Sequence, residues 1–191
     1  LTYSGATLNL GANTLTMSGE GRLSNTNALV LNNAISKLLL NSITVDNVST
    51  SADSLGLDVD NNSTVSSLSV AHITPVSIVS GKTLSGAITV TAGSIKLDEA
   101  GTLASTLSMS GGTLDADNSS TISGTLSQSG SISIDVAEDK TLTYSGDEIS
   151  LGAYTLTMSG EGTFSNTNAL VLNNASSKLL LNSITVDNVS T

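Results

Sequence analysis

The sequence predicts an all-β fold: a right-handed parallel β-helix (β-solenoid) with about three short strands in each coil of 19 to 22 residues. Three observations predict it. Residues 1–50 recur as residues 142–191, Thr followed by an aliphatic residue recurs every 19 to 22 positions, and short runs alternate between apolar and polar residues. Alternation of period 2 is typical of strands, and no 3.6-residue pattern that would favour helices competes with it.

The long repeat has a period of 141 residues. Residues 1–50 and 142–191 are identical at 42 of 50 positions. We therefore expect one solenoid domain, 1–191, made of the end of one repeat (1–43), one full repeat (44–184) and the start of the next (185–191). The differences between the two copies are Ala6/Asp147, Thr7/Glu148, Leu8/Ile149, Asn9/Ser150, Asn13/Tyr154, Arg22/Thr163, Leu23/Phe164 and Ile35/Ser176.

A shorter period lies inside the long one. Successive Thr–aliphatic pairs are 20, 19, 19, 19, 20, 22 and 22 residues apart, which sums to 141, so one repeat contains seven coils. A coil of this size cannot bury its inward side chains alone, but stacked coils bury them as continuous columns. The predicted inward column is Val45, Val65, Leu84, Leu103, Ile122, Leu142, Phe164 and Val186.

Several residues outside that column also have predicted positions. The Thr before each column residue faces outward, where a β-branched hydroxyl side chain suits a half-exposed strand. A right-handed path is expected because parallel crossovers are nearly always right-handed. Sharp corners are expected at the Ser-Gly sites of Gly93, Gly111, Gly130, Gly146 and Gly160.

Composition narrows the function classes. The chain has no Cys, no Trp and one Phe, so its core is expected to be aliphatic. The net charge is −10 with only six Lys plus Arg, which argues against nucleic acid or an anionic lipid surface as partner. The longest aliphatic runs are three residues, far below the ~18 of a membrane helix, so no membrane insertion is expected.

The units "TLSMSGGTLDADNSS" and "KTLTYSG" resemble the β-solenoid repeats of large bacterial surface and secreted exoproteins, including filamentous-haemagglutinin-like adhesins and autotransporter passenger regions. The resemblance covers the whole chain. It implies an extracellular or cell-surface stalk, fibre or adhesive module. The Gly-Gly-x-Gly-x-Asp calcium loop of related solenoids is missing, because Gly111-Gly112 continues into Thr-Leu-Asp.

Carboxylates of three successive coils are expected to form an acidic stripe on one edge, with coils about 4.8 Å apart. Oxygen ligands in number suit Ca²⁺, and carboxylates in a groove also suit acid/base catalysis on a glycan. The third interpretation is a solvated edge that prevents stray strand pairing. The only histidine, His72, has no metal-ligating neighbours in sequence. The stripe consists of Asp98, Glu99, Asp115, Asp117, Asp135, Glu138 and Asp139.

Two further surfaces follow from the repeat. Ranks of Thr-x-Ser or Thr-x-Thr suggest ice binding as a less favoured alternative, although Ala104 and Asp46 interrupt them. Strict alternation also places four aliphatic residues on the outside of the wide coils, where they could self-associate laterally. These are Val30, Leu39, Val171 and Leu180.

These observations favour a structural role without catalysis or a cofactor. We expect a segment of an extracellular bacterial fibre or adhesin stalk, elongated and associating with itself end to end and laterally. The alternative is an adhesin that binds a surface glycan, or an enzyme that processes one, through the acidic stripe. Self-association is expected because neither end of the chain has the sequence of a polar cap.

Overall fold

The computed structural model describes all 191 residues as strands and turns, with no helix. Its 25 strands are β1 (Thr2–Tyr3), β2 (Leu8–Asn9), β3 (Thr14–Ser18), β4 (Arg22–Asn25), β5 (Leu29–Leu31), β6 (Lys37–Asn41), β7 (Thr44–Thr50), β8 (Gly56–Val59), β9 (Ser63–Val70), β10 (Ile73–Ile78), β11 (Thr83–Val90), β12 (Ser94–Leu97), β13 (Thr102–Met109), β14 (Thr113–Ala116), β15 (Ser120–Ile122), β16 (Leu126–Gln128), β17 (Ile132–Val136), β18 (Thr141–Tyr144), β19 (Ile149–Ser150), β20 (Thr155–Ser159), β21 (Thr163–Asn166), β22 (Leu170–Val171), β23 (Lys178–Leu181), β24 (Thr185–Val186) and β25 (Val189–Ser190).

These strands form three parallel sheets, which confirms the predicted β-solenoid. A nine-stranded sheet takes one strand from each of nine coils, in the order β3-β6-β8-β10-β12-β14-β17-β20-β23. A 13-stranded sheet contains the path β1-β4-β7-β9-β11-β13-β15-β18-β21-β24, with β2, β5 and β16 beside it. A separate three-stranded sheet, β19-β22-β25, lies at the C-terminal end.

The number of strands per coil varies along the solenoid. The outer coils have three short strands, as predicted. In the four central coils, one long strand of seven or eight residues (β7, β9, β11 and β13) replaces two short ones. The cross-section therefore changes along the axis, because the corner between the two short strands is straightened in the middle coils.

The core is a set of aliphatic columns. In the nine-stranded sheet, one column occupies successive coils in register and is at most 2% exposed. Burying each such side chain contributes roughly 1.5–3 kcal/mol, so the stacked columns supply the main driving force for folding. This column is Leu38, Leu57, Val76, Leu97, Ala116 and Val136.

The inward column predicted from sequence is correct in three blocks and wrong at the two junctions between them. Val45 pairs with Val65, Leu84 with Leu103 and Ile122, and Leu142 with Phe164 and Val186. At the first junction Val65 pairs with Gly86, and at the second Ile122 pairs with Tyr144. Each junction therefore shifts the register by two residues, which preserves the inward and outward faces because the strand period is 2.

Crowding at a corner explains the first shift. A Cβ on Gly86 would lie 1.8 Å from the Val65 carbonyl oxygen, so no larger residue fits beside Val65. The backbone at Gly86 also has a φ of 128°, which L side chains rarely adopt. The aliphatic side chain that fills the core is therefore Leu84, two residues earlier in the strand.

The two shifts have the same direction and add to four residues over one repeat. The nine-stranded sheet shows the same displacement: the column of Leu38 reaches Val136, whereas Leu179, the repeat equivalent of Leu38, lies in the column of Leu156 and Ile132. Four residues correspond to about 13 Å along a strand. Equivalent residues of the two copies therefore do not lie directly above one another on this sheet.

Candidate functional site

The acidic stripe lies along the outer face and edge of the nine-stranded sheet. Asp115 and Asp135 are adjacent in register on β14 and β17. Asp98 and Asp117 directly follow β12 and β14, and Asp98 is half-buried. The remaining three members, Glu99, Glu138 and Asp139, are exposed in the turns after these strands.

A cation that the sequence analysis overlooked lies among these carboxylates. Lys96 pairs in register with Asp115, and its Nζ is 2.7 Å from Asp117 Oδ2 and 3.5 Å from Asp115 Oδ2. The signal was present in the sequence, because Lys96 is two residues before Asp98 and 19 before Asp115 and therefore shares their face. The stripe is thus partly neutralised by an ion pair.

Two carboxyl groups of the stripe are harder to ionise than usual. Burial raises the pKa of Asp115, and the neighbouring Asp117 carboxylate raises it further against the effect of Lys96. Burial also raises the pKa of Asp98. The hydrogen bond to Asp117 raises the pKa of Lys96, so this amine stays charged. Proximity of like charges is therefore unfavourable here, and Lys96 offsets part of it.

The geometry of the stripe does not assemble a metal centre. No group of three or more His, Asp or Glu side chains is placed to hold a metal ion together. Asp117 bonds to Lys96, and Ser159 Oγ donates a hydrogen bond to Asp135. Away from the stripe, His72 Nδ1 is 3.8 Å from Asp53 Oδ1.

A second charged contact interrupts the outward Thr ranks of the 13-stranded sheet. Asp46 accepts hydrogen bonds from Arg22 Nε at 2.7 Å and from Ser24 Oγ at 2.9 Å. Burial acts to raise the pKa of Asp46, but these hydrogen bonds and the Arg22 charge outweigh it and lower the pKa. Nearby, an uninterrupted Thr rank is in register across β11, β13, β15 and β18, formed by Thr83, Thr102, Thr121 and Thr143.

The four residues predicted for lateral association differ in accessibility. Val30 is only 7% exposed, so the expectation that it lies on the surface is wrong. Leu39 and Val171 are half-buried, and Leu180 is 37% exposed. Leu39 pairs with Thr16 and Asp58, whereas Leu180 pairs with Thr157, so the two leucines lie in columns four residues apart.

A buried asparagine pair, absent from the sequence predictions, closes the corner of the wide coils. Asn166 donates to the carbonyls of Asn168 and Asn188, both at 2.8 Å, and its Oδ1 accepts from Asn188 N at 3.2 Å. Asn25 makes the same three bonds in the first copy, to Asn27 and Asn47. Identical spacing in both copies was the available sequence signal.

Tyr144 occupies a break in the sheets. The 13-stranded sheet ends with β16 on one side of the coil, and the three-stranded sheet begins with β19 in the next coil, with no ladder between them. Here the Tyr144 hydroxyl accepts a hydrogen bond from the Leu126 N–H at 3.1 Å. The Tyr144 ring is fully buried and stacks on Phe164 at 6.1 Å between ring centroids.

Both ends of the solenoid expose core columns. In the last coil, Leu181 and Val189 are 49% and 46% exposed, whereas their repeat equivalents Leu40 and Val48 are 0% and 2% exposed beneath the following coil. In the first coil, Leu1 is 90% exposed and its equivalent Leu142 is fully buried. The same sequence is thus core inside the array and surface at its ends.

Comparisons with protein-family models, with curated proteins and with solved structures found no match to this chain. The chain has no helix with the length and apolar character needed to cross a membrane. The fold itself defines the chain as a β-solenoid built from tandem repeats, and it is consistent with a structural repeat protein.

Proposed function

We propose that this chain is a structural repeat segment of an extracellular bacterial fibre or adhesin stalk, which associates with copies of itself end to end. The observation that carries the proposal is the exposure of core columns at the ends. Leu181 and Val189 are surface residues here, although the same side chains are buried wherever another coil follows. Unpaired strand edges and uncovered apolar columns favour stacking of a further coil.

The rest of the molecule supports a mechanical role. The aliphatic core runs through nine coils without interruption, and parallel ladders connect each coil to the next. The extracellular and bacterial parts of the proposal rest on the resemblance of the repeat units to surface exoproteins. Antibody labelling of intact producing cells tests the location, and labelling only after lysis contradicts it.

Sedimentation and electron microscopy of the purified chain over a range of concentrations test the association. We expect end-to-end oligomers that Leu181→Asp weakens, because a charge would enter the stacking surface. Leu180→Asp is the matched control: it changes the neighbouring residue, which is outside the inward column, and affects only lateral bundling. A chain that stays monomeric at high concentration overturns the proposal.

The two alternative functions remain predictions with direct tests. Binding of oligosaccharides on a glycan array would favour the glycan-binding or glycan-processing alternative through the acidic stripe. Thermal hysteresis of a protein solution would favour ice binding through the Thr ranks. Neither result would follow from a purely structural role.

A further inference from the structure

The first coil of the chain presents a surface that has a buried counterpart within the same molecule. Residues 1–18 copy residues 142–159, and the coil of residues 119–141 covers the second copy. In the first copy nothing lies on that side. An open hollow of about 470 Å³ is found there instead, lined by residues that include Leu1, Leu15, Met17 and Leu23.

The covering coil contacts the second copy through four specific side-chain hydrogen bonds. Leu126 N donates to the Tyr144 hydroxyl at 3.1 Å, and Gln128 Nε2 donates to the Leu151 carbonyl at 2.8 Å. Thr155 N donates to Ser131 Oγ at 3.1 Å. The fourth bond joins the Ser159 hydroxyl to Asp135.

The first copy retains all four residues that receive these bonds. The equivalents of Tyr144, Leu151, Thr155 and Ser159 are Tyr3, Leu10, Thr14 and Ser18, with no change of residue type. Five of the eight differences between the copies lie close by, within positions 6–13. Tyr3 is only partly buried, whereas Tyr144 is fully buried beneath the covering coil.

We infer that the end of the solenoid formed by residues 1–18 is a docking surface for one kind of coil, the coil of residues 119–141 from another copy of the repeat. Tyr3 is a specificity-determining residue of this surface. Backbone pairing accepts any coil, but only this coil places a free N–H over the tyrosine hydroxyl, where the ladder of the third side is interrupted. The surface therefore selects the correct neighbour in the order of coils.

The inference deepens the proposed structural role, and its test does not depend on self-association. The probe is the full chain with a second copy of residues 119–141 joined directly before Leu1. The matched control carries the same extension with changes equivalent to Gln128→Leu, Ser131→Ala and Asp135→Ala. A second variant combines the unaltered extension with Tyr3→Phe.

We expect the unaltered extension to raise the melting temperature by roughly 5 °C, and the control extension to raise it by less than half as much. Tyr3 should become inaccessible to acrylamide quenching, so that Tyr154 is the only accessible tyrosine. The Tyr3→Phe variant should lose part of the thermal gain. Equal gains from both extensions, or a Tyr3 that stays accessible, would overturn the inference. A failure of the proposed fibre role would appear instead as a monomeric chain in sedimentation.

Discussion

Val65 pairs in register with Gly86 and not with Leu84, although Leu84 holds the sequence position that corresponds to Val65 in the next coil. The carbonyl of Val65 occupies the space that a side chain at position 86 would need. The pairing of these two residues is therefore a steric fit, and it determines where the next core side chain lies.

Gly86→Ala should destabilise the protein by about 3 kcal/mol, because the new Cβ meets a backbone oxygen and the φ of 128° is strained for alanine. Gly81→Ala is the control. Its φ is also positive, at 75°, but no atom lies within 4 Å of the added Cβ, so we expect a loss of about 1 kcal/mol. Denaturant unfolding measures both, and equal losses would contradict the steric explanation.

Asn166→Ala should cost about 3 kcal/mol in unfolding free energy. The substitution removes three hydrogen bonds and leaves the Asn188 N–H and two carbonyl groups without their partner in a buried corner. Asn168→Ala removes one exposed bond, from its Nδ2 to the Gly146 carbonyl, and should cost less than about 1 kcal/mol. Thermal or urea unfolding compares the two variants, and a similar loss in both would show that burial of the corner is unimportant.

Asp115→Asn should stabilise the protein at pH 7 by about 0.5 kcal/mol after allowance for solvent screening. Because folding raises the pKa of Asp115, the folded state binds more protons than the unfolded state, and the unfavourable effect of its charge disappears as the pH falls through the folded pKa toward about 4. The advantage of the variant should therefore vanish at acid pH.

Asp46→Asn provides a comparison of opposite sign for this pH dependence. Folding lowers the pKa of Asp46, so its favourable contribution is present above about pH 4 and is lost as the pH falls through the lower folded pKa. The variant should be less stable than the parent chain at pH 7, and the difference should shrink in acid. Unfolding curves at several pH values measure both variants, and parallel curves would contradict the pKa directions.

Calcium and a chelator should leave the melting temperature unchanged when the ionic strength is matched. The expectation follows from the absence of a grouped ligand set and from the ion pair between Asp117 and Lys96. If calcium raises the melting temperature, and Asp115→Asn with Asp117→Asn removes that rise, the acidic stripe binds the cation after all. Magnesium at the same concentration is the control for general charge screening.

Leu1 and Leu142 should be about 34 Å apart along the solenoid axis, because seven coils at a spacing of about 4.8 Å separate them. Fibre diffraction of aligned protein, or a density map of a fibre, measures this translation. A very different value would contradict one coil per 19 to 22 residues.

The sequence was sufficient to predict the fold because its signals are additive over many coils. Alternation, the 19 to 22 residue spacing and the 141-residue period all indicate parallel stacking, and Leu84, Leu103 and Ile122 are paired as predicted. The shifts at Gly86 and Tyr144 were not predictable in the same way. They depend on the crowding of backbone atoms between coils, which equal sequence spacing does not reveal.

The candidate sites were predicted less completely than the fold. The stacking frame correctly placed Asp115 beside Asp135, because both lie within strands of one sheet. It overlooked Lys96, since attention to one sign of charge hid the ion pair. It also placed Val30 on the surface from alternation alone, although all three residues of β5 are buried.

The four-residue displacement between copies of the repeat gives any array of such repeats an oblique pattern. On the nine-stranded sheet, a residue that occurs once per repeat moves about 13 Å sideways for every 34 Å of rise. Leu39 and Leu180 are two successive points on such a line. Two straight fibres laid side by side could not bring this residue into contact at every repeat. A partner that follows it must wind around the fibre, in the way that a nut follows the thread of a screw.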